Sequence, residues 1–396
     1  MLLSPLILIV GIWILVANEG NSIKQHQALR EGLGIVVEAS TKNGIDDKKD
    51  NKLIHLIGIV EPQSSASDYL LGVKPTPANN TIKLRRDVQM YQWVEKSSTD
   101  STKHTGGSST SRTTYTYEKQ WRSEHITSSA FSDSDSHENP KTMKFATTTF
   151  DADELKIGEY LLSQDATDKM DGKKWYKQYD QTVKVKNIPD ETTRNDAKEF
   201  GNGFFFGSDT AYPEVGDLKI SYEYIPMQIV SIIARQSADT LAQYTSSKTG
   251  GTILIVEPGS HDAKEMFLLE GQRVANNTWS MRVLGFVIVM IAFQMAVAPL
   301  STVADVVPFL GDLLETGTGI FALISATIVT VVIIGFSWLF YRPFFSLILF
   351  GVFGVAAYFW KEQKYKNASS GGVGGFYDAS GGSGSWTYDM LNSSGV

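Results

Sequence analysis

The sequence contains no cysteine, and this single absence excludes several kinds of chemistry. A chain without thiols can form no disulfide, no thiolate metal site and no cysteine nucleophile. Basic residues are also in deficit, since 36 lysines and arginines stand against 43 aspartates and glutamates and give a net charge of −7. This balance offers no basic excess for nucleic acid, so we expect no nucleic-acid partner.

Long apolar runs are absent from the middle of the chain but present at both ends. Three of them lie near the C-terminus, at residues 283–300, 319–341 and 343–360. Each has about the number of uncharged residues that a helix needs to cross roughly 30 Å of hydrocarbon. The mean hydropathy of −0.12 hides these runs because it averages them with a polar middle. We predict membrane helices over 281–300, 319–341 and 343–360.

A fourth apolar run opens the chain, from Leu2 to Ala17. It lacks the basic segment that begins a signal peptide, and Leu15 stands at the −3 position of the best cleavage point, where a small residue is needed. The polar stretch that follows, NEGNSIKQHQALREGLG, is typical of a continuation of the same helix. We therefore predict an uncleaved anchor over 1–18, and four spans in total.

Four spans place both ends of the chain on one side of the membrane. The last run is followed by KEQKYK, a lysine-rich segment typical of a cytoplasmic face. Residues 361–396 are rich in glycine and serine and are predicted to form a flexible cytoplasmic tail. Residues 19–280 are therefore predicted to lie on the lumenal or periplasmic side.

The connection at 301–318 clusters apolar side chains among acidic ones. This pattern favours an amphipathic helix in the membrane interface, with Pro308 near its start. A short folded hairpin between two spans is the alternative.

The large segment at 19–280 reads mainly as β-strand. In GDLKISYEY (216–224) apolar and polar residues alternate, as in a half-buried strand. MQIVSIIARQ and GTILIVEPG carry β-branched residues on both faces, as strands covered on both sides do. Helices are predicted over 151–170 and 261–279. The fold class is thus an α+β membrane protein, with four transmembrane helices and a large β-rich extramembrane domain.

Two aromatic segments, DVQMYQWVE and TTYTYEKQW, flank a Gly/Ser/Thr-rich stretch at 97–113. We predict a hairpin whose tip is a polar, mobile loop. Cross-strand aromatic pairs would stabilise it. The residues expected to supply them are Tyr91, Trp93, Tyr115, Tyr117 and Trp121.

Motifs that carry chemistry are scarce. The best metal candidate is the stretch 125–138, which supplies His125, Asp133, Asp135, His137 and Glu138. Runs of serine and aspartate are more often solvated loops, and that interpretation is favoured.

Ser260, His261 and Asp262 are adjacent in the chain, whereas a catalytic triad gathers its members from distant segments. We expect His261 and Asp262 at the start of the 261–279 helix. Phosphate-binding, dinucleotide-binding and HExxH motifs do not occur. The sequence therefore predicts a protein that is not an enzyme and needs no cofactor.

Transport is a further class to consider. A proton or ion relay needs ionisable groups inside the spans, and the second span offers only Gln294 there. The third span contains Ser325, Thr327 and Thr330, which can bond to their own helix or to a neighbour. A pump is therefore disfavoured, while a channel or lipid-handling protein stays open as the alternative function.

Several phrases together resemble one known family. They are KLRRDVQMYQWVE (83–95), YTYEKQWRSE (115–124), YPEVGDLKISY (212–222), IARQ (233–236) and WLFYRP (338–343). Their order and spacing are similar to those of LUMA, the transmembrane protein 43 family. The resemblance implies four spans, a large lumenal domain between the first two, and both termini on the cytoplasmic or nucleoplasmic side.

The resemblance also implies a function. It points to a non-enzymatic membrane scaffold that self-associates and organises complexes in the endoplasmic reticulum and inner nuclear membrane. Membrane lipids would surround it, and lamins and emerin-type proteins would be its partners in a host with an animal-type nucleus. A bacterial relative would lie in the inner, or plasma, membrane and would lack those partners.

The family phrases supply our candidates for structural or partner-binding roles. Arginines at the start of the aromatic strand could pair with acids or stack on rings. The YPEVGD segment has turn chemistry leading into a strand, and WLFYRP predicts an interfacial belt with a tight reversal. A structural role is favoured over ligand binding for all of them. The residues are Arg85, Arg86, Tyr91, Trp93, Trp121, Arg122, Tyr212, Pro213, Glu214, Gly216, Asp217, Trp338, Tyr341, Arg342 and Pro343.

Overall fold

A computed structural model of the chain describes residues 3–42, 44–75, 81–103, 109–304 and 308–341, with isolated positions between 348 and 362. The chain forms two compact units, Met1–Ser337 and Trp338–Val396. The first unit contains the whole of the β-rich domain. The predicted fourth span at 343–360 and the tail at 361–396 lie almost entirely outside the described residues.

The described residues form five α-helices, two of them short. They are α1 (Ser4–Ile35), α2 (Gln164–Asp168), α3 (Glu191–Asp196), α4 (Ala263–Ala304) and α5 (Pro308–Tyr341). Three segments are long and apolar enough to cross a membrane: Ser4–Ile35, Ala263–Val297 and Gly319–Trp338. All three lie in the described part of the chain, so the described residues contain three candidate membrane spans.

Sixteen strands lie in the described part of the chain, most of them short. In chain order they are β1 (Val37–Glu38), β2 (Leu53–Pro62), β3 (Thr81–Lys103), β4 (Ser109–Arg122), β5 (Thr148–Asp151), β6 (Leu155–Ile157), β7 (Tyr160–Leu162), β8 (Lys177–Gln178), β9 (Ala197–Phe200), β10 (Gly203–Phe206), β11 (Leu218–Pro226), β12 (Ile229–Ser237), β13 (Thr240–Ala242), β14 (Tyr244–Thr245), β15 (Thr252–Ile253) and β16 (Ile255–Pro258). The strands predicted at 216–224, 227–236 and 251–259 are confirmed.

The first sheet has the order β1-β2-β6-β7-β13-β12-β16, and β12 also pairs with β2. The strands β2, β6, β7, β13 and β12 therefore close into a ring, a small barrel-like sheet. Alternate residues of β2 and β12, such as Ile54, Leu56 and Ile232, point into its core, where Trp175 is also buried. Closure leaves few unpaired strand edges in this part of the domain.

The second sheet has the order β4-β3-β11-β10-β9, with β5 paired to β3 and β8 paired to β11. Its core is rich in aromatic side chains, including Tyr222 and Phe204. The strands β3 and β4 continue beyond this core as a two-stranded ribbon, paired from Met90 and Arg122 as far as Lys103 and Ser109.

The ribbon corrects the prediction of a loop for residues 97–103 and 109–113, while residues 104–108 lie outside the described residues. Threonine and serine hydroxyls form hydrogen bonds across the ladder. The Oγ1 atoms of Thr99 and Thr113 are 2.9 Å apart, and so are the Oγ atoms of Ser101 and Ser111. β-branched threonine favours an extended backbone, and paired hydroxyls stabilise a ribbon that is polar on both faces. Composition had suggested flexibility, but strand pairing determines the conformation here.

The predicted helix over 151–170 is also wrong. This segment forms the β6–β7 hairpin and then only the short helix α2. Gly158 makes the turn with φ +60°, a conformation that glycine adopts without strain. Leu155 and Ile157 are two positions apart, so they share one face of a strand.

The helices α1 and α4 form a long antiparallel pair that reaches from the candidate spans to the first sheet. Leu29 of α1 and Phe267 of α4 pack with Leu53 and Ile233 of that sheet. The helix predicted over 261–279 is confirmed as the first half of α4, which runs on without a break into the second candidate span. The segment predicted as a separate connection at 301–318 is helical where it is described, and α5 continues through residue 319.

Candidate functional site at the membrane-proximal helix pair

The two helices approach each other closely because small residues face large ones. A Cβ added to Gly285 of α4 would lie 2.6 Å from the side chain of Leu15 on α1, and one added to Gly11 would lie 2.8 Å from Val289. Leu15 and Val289 are fully buried in this contact. Glycine opposite a bulky side chain is a common way for membrane helices to pack.

An ion pair joins the helices where the apolar runs end. The Arg282 guanidinium donates from Nε to Glu19 Oε1 at 2.6 Å and from Nη2 to Glu19 Oε2 at 2.9 Å. Glu19 is 1% exposed, and the guanidinium also lies 4.8 Å from the Trp279 ring centroid. A bidentate geometry fixes the rotation and the register of the two helices relative to each other.

Uncharged polar contacts extend this junction away from the membrane. The Asn18 amide donates to the Thr278 carbonyl at 3.1 Å, and the Thr278 hydroxyl donates to Ser22 Oγ at 2.9 Å. Sequence reasoning missed all of these residues. The sequence did contain a signal for Glu19 and Arg282. Each is a single charged residue at the border of an apolar run, and the two charges have opposite signs.

A second charged group joins α4 to the β-domain. Glu257 of β16 is buried and pairs with Arg273 and with Lys174, whose Nζ is 2.5 Å from Oε2. Arg273 also donates to Glu270 Oε2 at 2.6 Å. Burial, followed by the charge of the nearby Arg273, lowers the pKa of Lys174. Glu257 is the buried member of the group, whereas the side chains of Lys174 and Arg273 are partly exposed to solvent.

The start of α4 is the place of Ser260, His261 and Asp262. Asp262 Oδ1 accepts from the Glu265 backbone amide at 2.7 Å, which is an N-cap bond. His261 Nδ1 lies 3.1 Å from Glu265 Oε2. Both residues therefore hold the helix start, as expected, and the structure brings Ser260 into no catalytic arrangement with them.

Arg86 lies in a buried polar cluster in the second sheet. Its Nη1 donates to Asp68 Oδ2 at 2.7 Å, and the Tyr222 hydroxyl donates to the same oxygen at 2.9 Å. The guanidinium carbon lies 5.9 Å from the Phe145 ring centroid and 5.5 Å from that of Phe150. Arg86 thus both pairs with an acid and contacts rings.

The neighbouring Arg85 is in a different environment. Its Nη1 lies 4.0 Å from Glu223 Oε2, and both side chains are largely exposed. Arg122 stands at the end of β4, opposite Met90 in the register. The structure therefore brings neither arginine into the Arg86 cluster.

The aromatic hairpin residues are only partly paired with one another. Tyr91 lies opposite Trp121, and their ring centroids are 5.2 Å apart. Trp93 instead lies opposite Lys119, whose Nζ is 4.8 Å from the indole ring. The Tyr117 hydroxyl donates to Glu95 at 2.7 Å. Sequence alternation predicted the hairpin, but it could not supply the register.

The suggested metal-binding stretch packs against this hairpin. His137 stacks on Tyr117 with ring centroids 3.7 Å apart, and its Nδ1 lies 3.3 Å from Asp133. His125 Nε2 is 2.6 Å from the Pro140 carbonyl oxygen. Among the described residues no group of three potential metal ligands comes together. The histidines are therefore placed as packing and loop-holding side chains.

The YPEVGD segment forms a tight turn ahead of β11. Asp217 Oδ2 accepts from the Glu214 amide at 2.8 Å, and Gly216 has φ +104°. The Gly216 amide donates to the Tyr91 carbonyl at 2.8 Å, which ties the turn to β3. Tyr212 is 78% exposed, and Pro213 precedes the turn.

Trp338 and Tyr341 lie in the last turn of α5, where Trp338 is 36% exposed. The reversal predicted at Arg342 and Pro343 falls outside the described residues.

Residues 90–343 match the family described as Transmembrane protein 43. The chain belongs to this family. The protein is therefore an integral membrane protein with a large β-rich domain, and the resemblance noted in its sequence is confirmed.

Animal members of the Transmembrane protein 43 family are similar to this chain over most of its length. The human protein of that name is 32% identical over 355 residues, which cover 87% of this chain and 85% of the human one. The rat protein is 32% identical over 352 residues, or 86% and 84% of the two chains. The Drosophila melanogaster homolog is 25% identical over 375 residues, or 91% and 93%. No solved structure matches.

Proposed function

We propose that this protein is a non-enzymatic membrane scaffold that self-associates and binds partner proteins. Its sites of action would be the endoplasmic reticulum and the inner nuclear membrane. The proposal includes the predicted fourth span at 343–360. This span would place the tail on the cytoplasmic side of the membrane.

One surface carries the proposal. It is a groove of about 650 Å³ along the outer side of the α1–α4 pair, here called the hairpin groove. Its apolar lining includes Leu33, which is 45% exposed, and Leu268, which is 62% exposed. Its lining residues are His26, Leu29, Arg30, Leu33, Asp262, Lys264, Glu265, Phe267, Leu268, Gly271, Gln272 and Ala275. Exposed apolar side chains inside a polar rim are typical of a protein-binding surface.

The charges around the hairpin groove suit a second copy of the chain. Arg30 and Lys264 are basic, whereas Asp262 and Glu265 are acidic, and all four lie beside the same apolar strip. In a two-fold symmetric dimer each residue meets the partner's surface in reverse order, so a patch with both signs can complement itself. Long, continuous helices below the groove would hold two such domains in a fixed orientation.

The experiment uses the absence of cysteine. In Leu268→Cys the new thiol is the only one in the chain, so a short bis-maleimide applied to native membranes reports the distance between copies. We expect a covalent dimer from Leu268→Cys and none from the control Tyr212→Cys, which places a thiol on the exposed turn before β11. Leu268→Glu should weaken the association in blue-native electrophoresis, because a carboxylate would enter the apolar strip.

The scaffold proposal would be wrong if the protein stayed monomeric in membranes and mild crosslinking recovered no partner. Lamin- or emerin-type partners are proposed only for a host with an animal-type nucleus. Immunogold labelling of the inner nuclear membrane tests that part separately. Labelling confined to other membranes would remove those partners without affecting self-association.

A channel or lipid-handling protein is the second candidate. The observation that favours it is the Thr330 hydroxyl, which is buried in α5 and has no hydrogen-bond partner within the described residues. The nearby Thr327 hydroxyl instead donates to the Leu323 carbonyl of its own helix at 2.8 Å. Reconstituted liposomes that show neither conductance nor lipid transfer would exclude this candidate.

A further inference from the structure

A cavity of about 450 Å³ lies between α1, α4 and the strands β15 and β16. Its volume is in the usual range for small-ligand sites. Most of the cavity wall comes from α1 and α4. The lining residues on which the argument rests are Trp13, Met281, Gln243, Asn277, Lys169 and Glu270.

The cavity extends beyond the end of the apolar run of α1. Along α1 its lining extends from Trp13 to Leu29, a rise of about 24 Å at ~1.5 Å per residue. Trp13 lies inside the apolar run, whereas Gln25 lies well beyond the Glu19–Arg282 pair that marks its end. A cavity in this position is open both to lipid tails and to the headgroup layer.

The chemistry of the lining changes along this length. At the membrane end the wall is formed by Trp13, Ile14 and Met281, which are apolar. Towards the domain the wall is mixed, because amide side chains such as Gln25 and Gln243 lie among apolar ones such as Leu29 and Ile253. The side chains of Gln243 and Asn277 make no hydrogen bond to any described residue, so their donors and acceptors remain available to a ligand. A molecule with an apolar tail and a polar head fits this gradient.

The charges favour an anionic group in that head. Lys169 and Glu270 are the charged side chains in the lining, and Glu270 already accepts a hydrogen bond from Arg273. With Lys174 and Glu257, the surrounding group has three cations and two carboxylates. Within this group the cations outnumber the carboxylates by one, and Lys169 is the cation that lines the cavity.

We propose that this cavity binds one membrane glycerophospholipid, with the phosphodiester beside Lys169 and the start of the acyl chains along Trp13 and Met281. The amides would receive the glycerol and headgroup oxygens. The bound lipid would fill the space between the helix pair and the β-domain. This inference is independent of self-association and would survive its failure.

The test is native mass spectrometry of the full chain released from mild detergent micelles, with dioleoyl phosphatidylcholine added in increasing amounts. We expect one saturable lipid on the wild type. Lys169→Gln should weaken its binding by about tenfold, because it loses a charge-assisted contact. Ala17→Trp should abolish it by filling the cavity. The control Ala211→Trp makes the same change at an exposed position before β11, away from both the cavity and the hairpin groove, and should leave binding unchanged.

Two further ligands separate the possible sources of a phosphate. Soluble glycerophosphocholine should bind at least a hundredfold more weakly than the lipid, because it has no chains for the apolar end. Monogalactosyl diacylglycerol offers hydroxyls without phosphate and should bind at least tenfold more weakly. Equal binding of either one would overturn the proposal, as would unaltered binding by Lys169→Gln in a variant whose circular dichroism is native.

Discussion

At the residue scale, buried charges in this protein are matched by partners from distant parts of the chain. Asp68 is fully buried, yet it receives hydrogen bonds from Arg86 and Tyr222 and from two backbone amides of its own turn. An unpaired carboxylate at this depth would cost several kcal/mol. The cluster therefore joins the segment before β3 to the centre of the second sheet.

Buried tyrosines are expected to limit the stability of the domain at high pH. Burial, followed by the charge of Asp68, holds the pKa of the Tyr222 hydroxyl far above its ordinary value. Burial raises the pKa of Tyr179 to about 12, with a smaller contribution from Asp180. In the unfolded chain both would titrate near ~10. Their stabilisation is therefore complete below about pH 10 and is lost as pH rises through the folded-state values.

We expect the free energy of unfolding to fall above about pH 10, by up to about 1.4 kcal/mol per pH unit for each such tyrosine. Tyr179→Phe should reduce this slope, whereas Tyr212→Phe on the exposed turn should not. Denaturant unfolding in micelles, followed by near-ultraviolet circular dichroism at several pH values, measures the slope. A stability unchanged up to pH 11, or equal slopes in both variants, would contradict the argument.

The contacts around Arg86 were predictable from the sequence only in part. It predicted that arginines beside the aromatic strand would pair with acids or stack on rings, and Arg86 does both. It could not identify Asp68 or Tyr222 as the partners. Tyr222 lies 154 residues from Asp68 along the chain, so only the folded topology makes them neighbours.

At the element scale, the helix pair transmits position between membrane and domain. The helices α1 and α4 are continuous from the candidate spans to the first sheet, and no loop interrupts them. Glycines allow close packing inside the membrane, and the Glu19–Arg282 pair fixes the register at its border. Rotation of one helix would break both features together.

A double-mutant cycle tests the register lock. Glu19→Gln leaves the partly buried Arg282 without its counter-charge and should destabilise the protein by about 3 kcal/mol. Adding Arg282→Gln should recover part of this loss, because no charge is then left unpaired. Lys248→Gln removes an exposed charge and serves as the control. Additive losses in denaturant unfolding would mean that the two residues do not act as a pair.

Element types were predictable where one pattern was unambiguous. The long apolar helices and the alternating strand at 216–224 are present. The prediction of a helix over 151–170 failed because the apolar residues of this segment fit either a short hairpin or a helix. Gly158, with its positive φ, favours the turn of a hairpin. The prediction of a loop in the 97–113 stretch failed because each strand of a polar ribbon is stabilised by its partner strand. The residue pattern of one strand alone does not reveal that pairing.

At the scale of the whole molecule, the direction of the chain through the membrane decides which compartment the β-domain can act in. Three candidate spans are found in the described residues, and the predicted fourth would return the tail to the side of the N-terminus. The lysines after residue 360 favour a cytoplasmic tail. With three spans, the tail would instead share the lumenal or periplasmic side with the β-domain.

Single cysteines distinguish these arrangements, because the chain has no thiol of its own. One variant, Ser101→Cys, places a thiol on the exposed ribbon, and another, Ser370→Cys, places one in the predicted tail. In sealed vesicles with the cytoplasmic face outward, a membrane-impermeant maleimide should label Ser370→Cys at once and Ser101→Cys only after detergent is added. Protection of both thiols would leave three spans, and immediate labelling of Ser101→Cys would place the β-domain in the cytoplasm. Because the hairpin groove lies on the domain side of the Glu19–Arg282 pair, the same result fixes the compartment in which any partner of the groove must be sought.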